Sequence, residues 1–75
     1  MEKEEIVAKL KAIHEAKCRL EKQQDKLHDR DVDGWRVIDV RIAEVLAPRS
    51  DLEFDLDIKY NSRINYRTMD VETIR

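Results

Sequence analysis

The stretch Leu52-Glu53-Phe54-Asp55-Leu56-Asp57-Ile58-Lys59-Tyr60 alternates apolar and charged side chains without a break. A period of two puts Leu52, Phe54, Leu56, Ile58 and Tyr60 on one face of an extended chain, so the spacing predicts a half-buried β-strand over 52–60. The rest of the chain is placed by asking what pairs with the edges of that strand and what covers its apolar face.

Residues 35–46, WRVIDVRIAEVL, supply one neighbour. A helix here would gather Trp35, Ile38, Ile42, Val45 and Leu46 on one side, but it would leave Val37 and Val40 facing water. Five β-branched residues in this run tip the reading toward a strand. With residues 47–51 as the connection, Leu46 faces Leu52, Ile42 faces Leu56, Val40 faces Ile58 and Ile38 faces Tyr60. The same register sets Arg41 opposite Asp57 and Asp39 opposite Lys59. The run 64–70, INYRTMD, pairs from the other side, with Ile64 against Tyr60, Tyr66 against Ile58 and Arg67 opposite Asp57.

The cover is the amino-terminal segment. Over residues 2–28, Ile6, Leu10, Ile13, Leu20 and Leu27, with Ala16 at the margin, fall within an arc of about 120° when wound as a helix. The interval has no Gly or Pro, and Glu2, Glu4 and Glu5 stand where the helix dipole favours anions. The expected architecture is therefore a single α+β domain over 1–75. It comprises one long amphipathic helix (2–28), an Asp-rich loop (29–34) and a three-stranded antiparallel meander with strands at about 35–46, 52–60 and 64–70. In this two-layer αβββ arrangement the helix lies across the sheet. A helix of that length spans ~40 Å, more than a sheet of three short strands covers. The overhanging stripe, Ile6, Val7, Leu10 and Ile13, is the expected self-association surface of a homodimer.

Composition limits the chemistry. Fifteen Lys and Arg stand against 17 Asp and Glu, a net charge of −2, so no basic domain offers itself to a phosphate backbone and direct nucleic-acid binding is not expected. One cysteine, Cys18, forms no internal disulfide, and no long apolar run marks a leader or membrane span. The expected compartment is the cytoplasm, with no membrane association.

Asp29-Arg30-Asp31-Val32-Asp33-Gly34 is the one motif-like string. It looks like the opening of an EF-hand-type calcium loop, with Asp29, Asp31 and Asp33 as oxygen ligands and Gly34 at the sharp turn. The likeness then fails, because Val40 stands at the twelfth position, where a bidentate Glu belongs. The competing reading is a turn after a helix end neutralised by Lys26 and Arg30.

Catalytic constellations are thin. Ser50 and Ser62 fall in expected loops, the histidines His14 and His28 lie on the helix, and one glycine excludes a Gly-rich phosphate loop. No enzymatic activity and no cofactor are expected. His14 and Cys18, four residues apart on one helix side, form a pair of potential zinc ligands that only a second subunit would complete, so no metal is assigned to the single chain. The charged sheet face Glu53, Asp55 and Asp57 is the expected partner-binding surface. Alternate strand residues lie ~6.8 Å apart, a spacing of the order of successive phosphates. The expected function is a small non-catalytic protein-binding adaptor that docks on another macromolecule and on itself. The alternatives are an acidic inhibitor that mimics nucleic acid and, behind it, a calcium-binding module.

Overall fold

The computed structural model describes residues 2–27 and 30–74. The chain is α+β, but its elements run α-α-α-β-β: α1 (Lys3–Asp25), α2 (Val32–Leu46), α3 (Arg49–Tyr60), β1 (Ser62–Asn65) and β2 (Asp70–Thr73). The three-stranded meander is thus corrected to three helices and a two-stranded antiparallel hairpin. The lone amino-terminal helix gains two companions.

The first helix follows its sequence signals and stops earlier than the expected residue 28. Glu4 and Glu5 occupy its first turn and Lys22 its last, each matching the dipole. Lys17 and Glu21 pair at 3.3 Å on the side that carries Leu10, and Glu15 and Arg19 pair at 3.9 Å on the opposite, exposed side. At ~1.5 Å per residue its 23 residues extend ~35 Å, which sets the long axis of a molecule measuring 47 × 21 × 17 Å.

Helix α2 begins on the Asp-rich string. The Asp31 carboxylate accepts a hydrogen bond from the Gly34 backbone N–H at 3.0 Å, and Asp33 lies in the first turn, where the dipole favours it. Residues 31–34 of the string are therefore a helix start. Glycine at position 34 has a concrete reason: a Cβ there would stand 2.6 Å from the Asp31 carboxylate, inside contact distance. The helix folds back along α1, where Gln24 Nε2 donates to the Trp35 carbonyl at 3.2 Å. Ile38, Ile42, Val45 and Leu46 are half-buried, and the helix contributes no fully buried residue.

Pro48 separates α2 from α3. It has no N–H to donate to the Glu44 carbonyl, and its ring crowds that carbonyl, so the helical run bends there. Ala47 keeps helical backbone angles, and Leu52 N–H picks up the Pro48 carbonyl to start the next helix. The nine alternating residues are therefore helical. Their period of two contains a helical repeat, since Leu52, Leu56 and Tyr60 are spaced by four and share one helix side. These three face the core. Phe54 and Ile58, on the expected apolar strand face, turn outward. Of the nine, only Ile58 is β-branched, so local preference also lies with helix. Asn61 closes α3 in the left-handed conformation (φ 51°), its N–H reaching the Asp57 carbonyl.

The expected third strand, 64–70, is instead half strand and half turn. Ile64 pairs with Val71 and Arg63 with Glu72 across a hairpin whose loop is 66–69. Asn65 organises that loop: its carbonyl accepts from Met69 N–H and its side-chain oxygen from Arg67 N–H. Met69 adopts φ 63° to close it. The core is small, with Ile6, Leu10, Leu56 and Ile64 buried and Val7, Leu52, Tyr60 and Tyr66 packed against them.

Candidate functional site

Two features stand out from the packed frame, a polar-aromatic junction and a pair of outward apolar faces. The junction is built where α1, α3 and the hairpin turn meet. Tyr66 donates its hydroxyl to Glu53 Oε1 at 2.8 Å, and the Arg49 Nε donates to the same oxygen at 2.8 Å. Arg49 and Glu53 are one helical turn apart, so the α3 backbone presents them as a pair. The Arg49 guanidinium lies over the Tyr66 ring at 4.5 Å, and His14 of α1 stacks on that ring with centroids 4.9 Å apart. Burial, then the hydrogen bond to ionised Glu53, pushes the Tyr66 phenol up to about 12. The hydrogen bond to Glu53 raises Arg49 above its ordinary value.

Beside the junction is an open cleft to which His14, Cys18, Tyr66 and Met69 contribute. Cys18 Sγ faces His14 Nε2 at 3.6 Å, and the other ring nitrogen, Nδ1, is buried without a partner. Among the described residues no group of three or more His, Cys, Asp or Glu is placed to hold a metal ion.

The apolar faces belong to α2 and α3. Val37 and Val40 are 54% and 57% exposed, and Phe54 and Ile58 are 64% and 66% exposed. Arg36, Arg41 and Glu44 surround Val37 and Val40 in a shallow groove on the outer side of α2. On α3, ~100° per residue places Asp51 and Asp57 on either flank of Phe54 and Ile58.

The residues expected to act are placed differently. Ile6 and Leu10 are fully buried against Leu56 and Ile64, and Val7 and Ile13 are half-buried, so the amino-terminal stripe is the inside of the molecule. Because α3 and the hairpin cover it, it is not an overhang. Glu53, Asp55 and Asp57 do not form a strand row, since on a helix Asp55 points away from the other two. Glu53 is engaged with Arg49 and Tyr66. Asp31 is used as a cap, while Asp29 and His28 lie outside the described residues. Arg49, Tyr66, Met69, Val40 and Phe54 were not singled out as site residues from sequence. The Arg49–Glu53 spacing of four is the signal that a helical reading of 49–60 would have exposed.

No protein-family model matches the chain, and no curated protein or solved structure matches it at a significant level. Among the described residues no helix is long and apolar enough to cross a membrane.

Proposed function

We propose that this protein is a non-catalytic protein-binding module that pairs with its own copy through the outer face of α2 and presents α3 to a protein partner. The observation that carries this reading is the imbalance of apolar surface. Among the described residues four apolar side chains are buried, whereas Val32, Trp35, Val37, Val40, Phe54, Ile58, Val71 and Ile74 are exposed. Scattered apolar side chains need no explanation, but two pairs at helical spacing on adjacent helices form faces that water covers poorly.

Charge distinguishes the occupants of the two faces. In an antiparallel pair of α2 helices with the two-fold axis at Val40, residues equidistant from Val40 face each other. Val40 then meets Val40, Arg36 meets Glu44 and Val37 meets Ala43, so the face is complementary to itself. The α3 face is not. Its flanking charges, Asp51 and Asp57, are both acidic, and a second copy would set carboxylate against carboxylate. It suits a partner surface with apolar and basic side chains.

Sedimentation analysis of the full chain tests the first step. A dimer that Val40→Asp converts to folded monomer supports it. A monomer across the micromolar to high-micromolar range, or a dimer indifferent to Val40→Asp, overturns it.

A further inference from the structure

The α1–hairpin cleft is lined by two soft sulfur donors and a borderline imidazole nitrogen. Cys18 and His14 come from one side of α1, and Met69 comes from the hairpin turn. The exposed faces assigned above leave this cleft untouched. We infer that it is a site for a monovalent soft metal ion, copper(I), bound by Cys18 Sγ, His14 Nε2 and the Met69 thioether.

The spacing of the first two donors fits an ion between them. A thiolate at ~2.3 Å and an imidazole nitrogen at ~2.0–2.1 Å from one metal lie ~3.6–3.8 Å apart for tetrahedral to trigonal angles. The Sγ···Nε2 distance is 3.6 Å. The i, i+4 spacing on α1 sets that separation, and the stack of His14 on Tyr66 at 4.9 Å orients the ring. Nδ1 has no hydrogen-bond partner, so the orientation of the ring rests on the stack alone. Met69 lines the cleft from a turn closed by its own left-handed backbone, and its unbranched side chain has three rotatable bonds to bring the sulfur to the pair.

The donor set and the charges around it select the ion. Thiolate and thioether are soft ligands that favour copper(I), whereas structural zinc takes four donors, drawn from Cys, His and carboxylates. Glu15, on the same cleft, is turned to Arg19 at 3.9 Å. Arg19 and Lys22 also border the cleft, and a divalent ion would meet their charge. On binding, the Cys18 thiol gives its proton to solvent, and copper(I) with one thiolate is neutral overall.

The test is an anaerobic titration of the full chain with copper(I) alone, held reduced by ascorbate and in competition with a chromogenic copper(I) chelator. Folding is followed in parallel by circular dichroism. Binding of one ion per chain is expected, with Cys18→Ser abolishing it. Met69→Leu, which keeps size and fold, should weaken it about tenfold or more, as loss of one ligand demands. His14→Gln should weaken it similarly. Wild-type affinity in both Met69→Leu and His14→Gln would mean a lone thiolate and overturn the site. So would one ion shared between two chains, or displacement of copper(I) by an equal concentration of zinc.

Discussion

The Tyr66 hydroxyl and the Glu53 carboxylate are joined by a 2.8 Å hydrogen bond that ties the hairpin turn to α3. The proton on Tyr66 is what makes the bond, so ionising the phenol removes the donor and sets two anions against each other. With the folded-state value pushed up to about 12, the native chain holds this proton while the unfolded chain, with an ordinary phenol near ~10, releases it. The stabilisation is therefore complete below pH ~10 and is lost as pH rises toward the folded value. Spectrophotometric titration should show a late phenol transition that vanishes in Tyr66→Phe. Denaturant unfolding at neutral pH should place that variant ~1 kcal/mol below wild type. A wild-type titration indistinguishable from that of Tyr66→Phe apart from amplitude would sink this account.

The Asp31 cap gives a second expectation. Asp31→Ala should destabilise the chain by ~1 kcal/mol, because the Gly34 N–H loses its acceptor. Gly34→Ala should give no such clear loss. It gains up to ~1 kcal/mol of helix propensity and forfeits the cap, since the new methyl displaces the carboxylate. The two effects should be far from additive in the double variant, where no cap remains to lose and only the propensity gain acts. Equal behaviour of Gly34→Ala in the wild-type and Asp31→Ala backgrounds would show that the cap contributes nothing. If millimolar calcium raised the melting temperature, and Asp31→Ala abolished the rise, the string would be a cation site rather than a helix start.

The hairpin carries an acid-sensitive contact. Glu72 accepts from Asn65 Nδ2 at 3.0 Å and pairs with Arg63 at 3.3 Å, and these partners hold its carboxyl below the ordinary carboxylate range, Asn65 contributing most. A depressed value means that the contribution is present above the unfolded carboxylate range and disappears as pH falls through the lower folded value. Cross-strand NMR contacts between Arg63 and Glu72 should weaken over that acidic window. Glu72→Gln should flatten this part of the stability profile, and an unchanged profile would remove Glu72 from the account.

How much of this was legible in the sequence follows from the same residues. The α1 stripe, with Ile6 and Leu10 at its buried end, was readable because a long period of 3.6 has no strand counterpart. Residues 52–60 were not, because Leu52, Leu56 and Tyr60 satisfy a period of two and a period of four at once. What decided between them was Tyr60 and Leu56 meeting Ile6, Leu10 and Ile64, a tertiary fact. Residues 35–46 mislead for the opposite reason. Their β-branched content is high, but Val37 and Val40 stand outward on a helix, as the helical alternative required. Once both strands are helices, the acidic row of Glu53, Asp55 and Asp57 dissolves, and the Arg49–Glu53–Tyr66 junction takes its place. The pair His14 and Cys18 does stand together in the structure, as its spacing of four on a helix requires.

The small core makes its members costly to change. Leu56 is fully buried in the core cluster with Ile6, Leu10 and Ile64. Leu56→Ala removes its packing and leaves a cavity, a loss of ~2–5 kcal/mol. In a chain this short that approaches the whole stability, so the variant should lose its cooperative thermal transition. Phe54→Ala, half a turn away on the exposed side of the helix, should leave the transition in place while lowering partner affinity. If both substitutions destabilised equally, the register of α3 would be wrong by half a turn.

The charge pattern of α2 makes the dimer testable without touching its apolar centre. With the two-fold axis at Val40, Arg36 faces Glu44 of the other copy, and the pair occurs twice per dimer. Arg36→Glu alone should weaken association by about tenfold or more, since both exposed pairs, each worth at least ~0.3 kcal/mol, turn into repulsions of similar size. The swap of Arg36→Glu with Glu44→Arg restores opposite charges at both places and should recover most of the affinity. The weakening should shrink as salt is raised, because such charges are screened. Recovery in the swapped chain is the decisive outcome, for neither a general loss of helix stability nor a different docking face would be repaired by it. A swapped chain no tighter than Arg36→Glu would mean that α2 meets its copy in another register or not at all.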